Sequence, residues 1–218
     1  MILSIVTLGQ SPREDFEIFL RQKNKTRIKQ VGILDKTDVK QLKTVTEDED
    51  ILVSKLRNGE QVILGKEFVQ KEVNKIVKGI NETNTDLILI ACTGEFTDIS
   101  SSIPLIYPDK LVGNIVKAIV DKHESIGVLI PDIMQEKSIK SKWSKLGIKT
   151  EVFDISPYVY SETDLLEITK KINESKLNFI ICDCMGYNVP LKEYLMKNTN
   201  KTIVLSSEIV FNAILSIS

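Results

Sequence analysis

One histidine, His123, is the only imidazole in the 218-residue chain. That scarcity excludes Ser-His-Asp triads, histidine acid–base chemistry and histidine-rich metal sites; His123 itself reads as a surface cap at a helix end. Charge of one sign is also lacking, because 29 Lys+Arg against 30 Asp+Glu leave a net charge of -1. No global field draws such a chain to nucleic acid or a lipid surface. The Lys-rich stretch 137–145 reads as a solvated helix face. Cysteines number three, an odd count that argues against a disulfide framework and for a reducing, cytoplasmic setting. The longest apolar run, Leu87 to Cys92, falls far short of the ~20 residues of a membrane span. Met1–Leu8 has no basic residue ahead of it and no small-residue cleavage site after it, so it reads as a strand rather than a signal peptide. Neither a G-x-G-x-x-G fingerprint nor a P-loop occurs, and no cofactor or metal is expected.

What is present is an alternation of apolar runs and helical periods. Ile2–Leu8, Asp86–Cys92, Ser125–Ile130, Asn178–Cys184 and Thr202–Leu205 are continuously apolar, as strands buried on both faces are. Val31–Leu34 and Thr150–Ile155 are weaker candidates. Ser11-Pro12-Arg13-Glu14 has the form of a capping box with Pro at the first helical position, and Ser161 with Asp164 forms a second. Val69, Val73, Ile76, Val77 and Ile80 make one helical stripe; Ile139, Trp143 and Leu146, ended by Gly147, make another. Pro190 opens a short helix through Tyr194. Ile51–Lys55 and Gln61–Leu64, around Asn58-Gly59, form a hairpin. The expected fold is α/β with parallel sheets flanked by helices, whose reactive groups lie beyond the carboxyl ends of the strands.

An internal repeat organises the chain. Asp86-Leu-Ile-Leu-Ile-Ala-Cys92-Thr-Gly-Glu matches Asn178-Phe-Ile-Ile-Cys-Asp-Cys184-Met-Gly-Tyr position for position. A strand–loop–helix unit precedes each, and the first interval is longer by about the excursion at 36–65. The reading is two pseudo-symmetric half-domains with a cleft between them: 1–95 plus 206–218, and 96–205. Cys92 and Cys184 then each end a central strand and face the cleft. Cys182, aligned with Ile90, is core packing.

On Thr7-Leu8-Gly9-Gln10-Ser11-Pro12-Arg13, Cys92-Thr93-Gly94-Glu95-Phe96, Ile126–Pro131 with Gln135 and Trp143, Asp183-Cys184-Met185-Gly186-Tyr187 and Leu205-Ser206-Ser207, the chain resembles the AroM family. That family is similar in design to the aspartate/glutamate/hydantoin racemase superfamily. The resemblance implies a racemase-like fold, a small carboxylate held between two half-domains, and one cysteine per half exchanging a proton on opposite faces of a carbon. It also implies a homodimer, and brings Pro131 and Gln135 into the site. One departure stands out. Thr93 follows Cys92, but Met185 follows Cys184 where a racemase commonly has a hydroxyl.

Chemically, a thiol of ordinary pKa about 8.5 comes within reach of neutral pH beside a helix amino terminus or a cation. Two sulfurs approaching one carbon would sit roughly 7 Å apart. The bland alternative makes both cysteines small buried strand-end residues. Gly9, Gln10 and Ser11 offer backbone N–H groups to a carboxylate or phosphate, with Arg13 pairing the same anion; otherwise Ser11 only caps and Arg13 is solvated. Thr93, Gly94 and Glu95 line the cleft, and Gly94 and Gly186 alternatively serve only tight turns. Asp183 organises its loop or tunes the thiol. Tyr187 is a rim residue or a substrate contact, and Ser206 and Ser207 are anion ligands or a helix cap. The leading expectation is a cofactor-independent racemase or isomerase of a small carboxylate, with Cys92 and Cys184 as acid and base. The alternatives are a single-thiol decarboxylase or lyase, and a carboxylate-binding or regulatory module without chemistry.

Overall fold

The computed structural model describes residues 1–20, 26–38, 42, 45–46, 49–120 and 125–217; His123 and much of the polar stretch 39–48 lie outside the described residues. The chain divides into two compact units, Met1–Asp109 with Val210–Ser218, and Lys110–Ile209.

Unit 1 runs β1 (Ile2–Thr7), α1 (Glu14–Leu20), β2 (Arg27–Gly32), a hairpin of β3 (Ile51–Lys55) and β4 (Gln61–Gly65), α2 (Lys66–Ile80), β5 (Leu87–Ile90) and β6 (Leu105–Ile106). α3 (Pro108–Ile119) carries the chain into unit 2. That unit contains β7 (Ser125–Ile130), a 3₁₀ turn at Ile133–Gln135, α4 (Glu136–Lys145), β8 (Lys149–Asp154), α5 (Glu162–Glu174), β9 (Phe179–Cys182), α6 (Val189–Asn198), β10 (Thr202–Leu205) and the start of α7 (Ser206–Ser216). None of the helices among the described residues is long and apolar enough to cross a membrane.

Both units build the same all-parallel sheet, in the orders β2-β1-β5-β6 and β8-β7-β9-β10. β5 is buried throughout and β9 from Ile180 on, as strands flanked by helices are, which is why their sequences are apolar without alternation. In unit 1, Val69, Val73, Val77 and Ile80 of α2 pack on Val6, Ile88 and Ile90. In unit 2, Ile168 and Ile172 of α5 join Leu129, Ile180 and Cys182. Two apolar layers of this kind remove enough surface from water to hold each sheet.

Local expectations fared unevenly. The Ser161–Asp164 capping box is present with both reciprocal hydrogen bonds. The expected hairpin forms, with Leu52 opposite Leu64 in its antiparallel register. The expected box at Ser11 does not form: α1 begins at Glu14, because the Ser11 hydroxyl and N–H both go to Asp35 at 2.6 and 2.7 Å. A charged acceptor outcompetes a neutral cap. β2 lies at Arg27–Gly32 rather than Val31–Leu34, and α6 runs past Tyr194 to Asn198. As an edge strand, β2 keeps Arg27 and Lys29 outside the core, so its apolar signal is weak.

Candidate active site

The two strand-end turns are copies of each other in the main chain. β5 pairs with β1 through Val6 and Ile90, and β9 pairs with β7 through Leu129 and Cys182. One residue on, the Ala91 N–H donates to Val6 O at 2.8 Å and the Asp183 N–H to Leu129 O at 2.8 Å. Two residues beyond each strand stands a half-buried cysteine outside any disulfide, Cys92 or Cys184. The Gly94 N–H donates to Cys92 Sγ at 3.2 Å, and the Gly186 N–H to Cys184 Sγ at 3.4 Å. A hydrogen bond donated to sulfur favours the thiolate over the thiol. Each turn needs its glycine for space. A Cβ on Gly94 would meet Leu52 Cδ2 at 2.7 Å, and one on Gly186 would meet the Tyr158 phenol, its oxygen at 2.3 Å.

What surrounds the turns differs. Ala91 precedes Cys92, while Asp183, 3 % exposed, precedes Cys184. The Asp183 carboxylate takes the Lys142 ammonium at 2.5 Å and the Trp143 indole N–H at 2.9 Å. Lys142 is therefore no part of a solvated helix face; it is buried on α4 because Asp183 provides a counter-charge there. Cys182 lies wholly in the unit 2 core, where burial pushes its thiol far above the ordinary range and leaves it inert despite the opposing Lys192 charge. Met185 is buried.

The loop after β1 already holds a carboxylate of its own. Asp35 accepts from the Ser11 N–H and hydroxyl, from the Gly32 N–H at 2.8 Å and from Arg57 Nη2 at 3.0 Å. Burial alone would raise the Asp35 carboxyl, but the Ser11 and Gly32 hydrogen bonds and the Arg57 charge outweigh it and lower the pKa. Gln10 accepts the Arg57 N–H at 3.0 Å, and its own N–H reaches Lys55 O at 3.3 Å beside the buried Gly9. Arg13 is buried rather than solvated, forks onto Asp15 at 2.6 and 2.9 Å, and lies 4.2 Å over the Phe16 ring.

Thr93 is buried and Glu95 half-buried beside Gly94. In unit 2, Pro131 directly follows β7, and Gln135 lies buried in the 3₁₀ turn. Tyr187 belongs to the core: its hydroxyl donates to Ile155 O at 2.8 Å, and burial raises its pKa well above the usual value. Ser207 donates to Tyr187 O at 3.1 Å, and Ser206 Oγ is buried without a partner among the described residues. A cavity of about 230 Å³ opens beside Asp154, Ser156 and Lys171, and none of the expected site residues line it.

Sequence reasoning passed over Asp35, Arg57, Lys142 and Tyr158. Lys142 left a signal: it stands three after Ile139 on the stripe that continues through Trp143 and Leu146, a buried position that asks for an acid. Asp35, 24 residues from Ser11, left none.

Residues 3–216 match the family described as AroM protein. The chain belongs to the AroM family. No curated protein matches it by sequence. By fold, this AroM chain is similar to the glutamate racemase isoform RacE1 of Bacillus anthracis, with 17% identity and a TM-score of 0.65 over 99% of this chain and 80% of that one. It is likewise similar to the maleate isomerase Iso of Pseudomonas putida S16, with 10% identity and a TM-score of 0.63 over 100% and 93%. A mutant arylmalonate decarboxylase in its liganded form gives 10% identity and a TM-score of 0.68 over 99% and 91%. At these identities the likeness is one of fold: two half-domains of parallel sheet flanked by helices, as expected from the internal repeat.

Proposed function

We propose that this AroM-family protein is a cofactor-independent enzyme that moves a proton at the carbon next to a small carboxylate, with Cys92 and Cys184 as its acid and base. The observation carrying this reading is the matched pair of strand-end turns, each offering a half-buried sulfur that accepts a glycine N–H. Free cysteines kept only for packing sit as Cys182 does, fully enclosed. A sulfur hydrogen-bonded and reachable in each half suits removal of a proton on one face of a carbon and return of one on the other. The fold relatives are named as a glutamate racemase, a maleate isomerase and an arylmalonate decarboxylase. All three reactions are compatible with a thiol acting at an activated carbon in an electrostatically organised site.

A second reading has a specific observation behind it. Met185 takes the place that Thr93 fills in the first half, and Asp183 the place of Ala91. Unlike surroundings suit unlike roles, with one thiol as proton donor in a decarboxylase or lyase and the other residue supporting it.

Deuterium incorporation from heavy water into a panel of amino, hydroxy and dicarboxylic acids tests the proposal and separates the two readings. Two-base proton transfer predicts that Cys92→Ala and Cys184→Ala each lose on the order of 10²–10⁴ in rate. Loss in only one variant selects the single-thiol reading. A compound that binds, with no exchange and no decarboxylation by wild type, would leave only a binding module.

A further inference from the structure

The β3–β4 hairpin has no counterpart in unit 2, whose described residues form no antiparallel pair. Its first strand lies over the carboxyl ends of β1 and β5. Side chains two apart on a strand share a face, and on β3 that face carries Leu52 and Ser54. A Cβ added to Gly9 would meet Ser54 Oγ at 2.8 Å and Lys55 O at 2.0 Å, so β3 runs directly against the loop after β1. A Cβ added to Gly94 would meet Leu52 Cδ2 at 2.7 Å and Cys92 Sγ at 3.3 Å. Both distances are measured from one point, so this Leu52 methyl and the Cys92 sulfur are at most about 6 Å apart. Leu52 also belongs to the apolar cluster against which Cys92 packs.

The hairpin is held at both ends. At its turn the Arg57 main-chain N–H donates to Gln10 Oε1 at 3.0 Å, Arg57 Nε to Ser11 O at 2.5 Å and Nη2 to Asp35 at 3.0 Å. At its base the Lys66 N–H donates to Asp50 O at 2.8 Å, and Leu64, opposite Leu52, is buried in the same cluster. Leu52 itself is 6% exposed. In unit 2 the Gly186 turn is covered by the Tyr158 phenol instead.

We infer that Leu52 is a specificity-determining residue for Cys92, a branched alkyl wall that accepts a carbon bearing hydrogen or a short alkyl group and disfavours one bearing a ring. The inference rests on Cys92 being a reacting thiol, as the proposed function has it. The substrate class narrows accordingly, to small carboxylates with short aliphatic rather than aryl groups at the reacting carbon. One methyl of Leu52 can turn aside for another methyl, but a six-membered ring needs the volume of the whole side chain.

Two maleimides of unequal bulk, N-methylmaleimide and N-cyclohexylmaleimide, test the wall on the native protein at pH 7, with the modified peptides of Cys92 and Cys184 followed in time. Each reagent takes the thiolate across the same carbon–carbon double bond: a sulfur–carbon bond forms, the neighbouring carbon takes a proton from water, and nothing leaves. The methyl-to-cyclohexyl rate ratio at one cysteine therefore reads space, because a changed thiolate fraction alters both rates alike. Leu52→Ala should lower the Cys92 ratio about three- to tenfold and leave the Cys184 ratio at its wild-type value. An unchanged Cys92 ratio, an equal fall at Cys184, or a Cys92 that neither reagent reaches would overturn the inference. If Leu52→Ala fails to fold by circular dichroism, or opens the β3–β4 ladder in amide exchange, Leu52→Val decides. With one carbon fewer it should lower the Cys92 ratio about twofold, and no fall overturns the wall. No substrate enters the assay, so failure of the proposed proton transfer, read in the deuterium panel, and failure of the wall remain distinguishable.

Discussion

The Cys92 turn and the Cys184 turn share a backbone and differ in nearly everything laid against it. Both hang from a four-residue central strand, return one N–H to the neighbouring strand, and give one glycine N–H to sulfur. Behind Cys92 is a methyl group; behind Cys184 is a clamped carboxylate. Over Gly94 lies the flexible end of Leu52 from the hairpin, and over Gly186 the ring of Tyr158. Sheet order and register dictate main-chain position, so a duplicated topology reproduces the turn without any help from side chains. Side chains are then free to diverge, and the divergence falls where two acid–base groups would need different characters.

The largest effect should come from splitting the charge pair. Asp183→Leu or Lys142→Met alone breaks a buried charge pair and should cost about 3–5 kcal/mol, whereas the double variant removes both charges and should recover most of that loss. Denaturant unfolding of the three proteins checks this. Equal losses in singles and double would mean that packing volume rather than charge holds this side of unit 2, and the contrast with Ala91 would lose its meaning.

The glycines give a smaller and unequal pair. Gly186→Ala drives a Cβ into the Tyr158 phenol, with ring atoms at 2.5 and 2.7 Å as well as the oxygen, and a stiff ring cannot yield without moving its loop. A cost of about 1–3 kcal/mol follows, against about 1 kcal/mol for Gly94→Ala, where one methyl of Leu52 can rotate away. Thermal unfolding of the two variants compares them directly. A larger loss at Gly94 would show that the hairpin over Cys92 is the more rigid cover.

How much of this was readable beforehand depended on whether the cause lay nearby in sequence. Central strands such as Ser125–Ile130 announced themselves because both of their faces are buried. Edge strands were mixed: β10 was legible as Thr202–Leu205, but β2 is half polar, and the two-residue β6 was passed over. The alignment of Cys92 with Cys184 and of Ile90 with Cys182 could be read because register preserves spacing. The charges around the site could not, since Ser11 meets Asp35 and Trp143 meets Asp183 only after distant segments fold together. Lys142 is the intermediate case, its stripe position legible and its partner not. Ser11 and Ser161 show the limit most sharply. Both head a Ser-x-x-acid tetrad, and one caps a helix while the other serves a remote carboxylate.

Those two serines provide the smallest prediction, one of pH. Each donates its hydroxyl to an aspartate, Ser11 to Asp35 at 2.6 Å and Ser161 to Asp164 at 2.7 Å, and both carboxyls are held below the ordinary value of 3.8. At Asp35 burial opposes the shift and is outweighed by Ser11, Gly32 and Arg57; at Asp164 the backbone and hydroxyl of Ser161 act on a fully exposed group. A depressed folded-state pKa stabilises the protein above the unfolded value and loses that contribution as pH falls through the folded one. Wild type should therefore lose stability as pH drops below about 4. Asp35→Asn should be less stable at pH 7 and flatter below 4, so that its deficit shrinks with acid. Asp164→Asn should repeat the pattern more weakly, because solvent screens an exposed cap. Denaturant midpoints from pH 7 down to 2.5 report both slopes. The reverse order would mean that the half-buried Ser11–Asp35 contact contributes less to unit 1 than an exposed capping box does to unit 2.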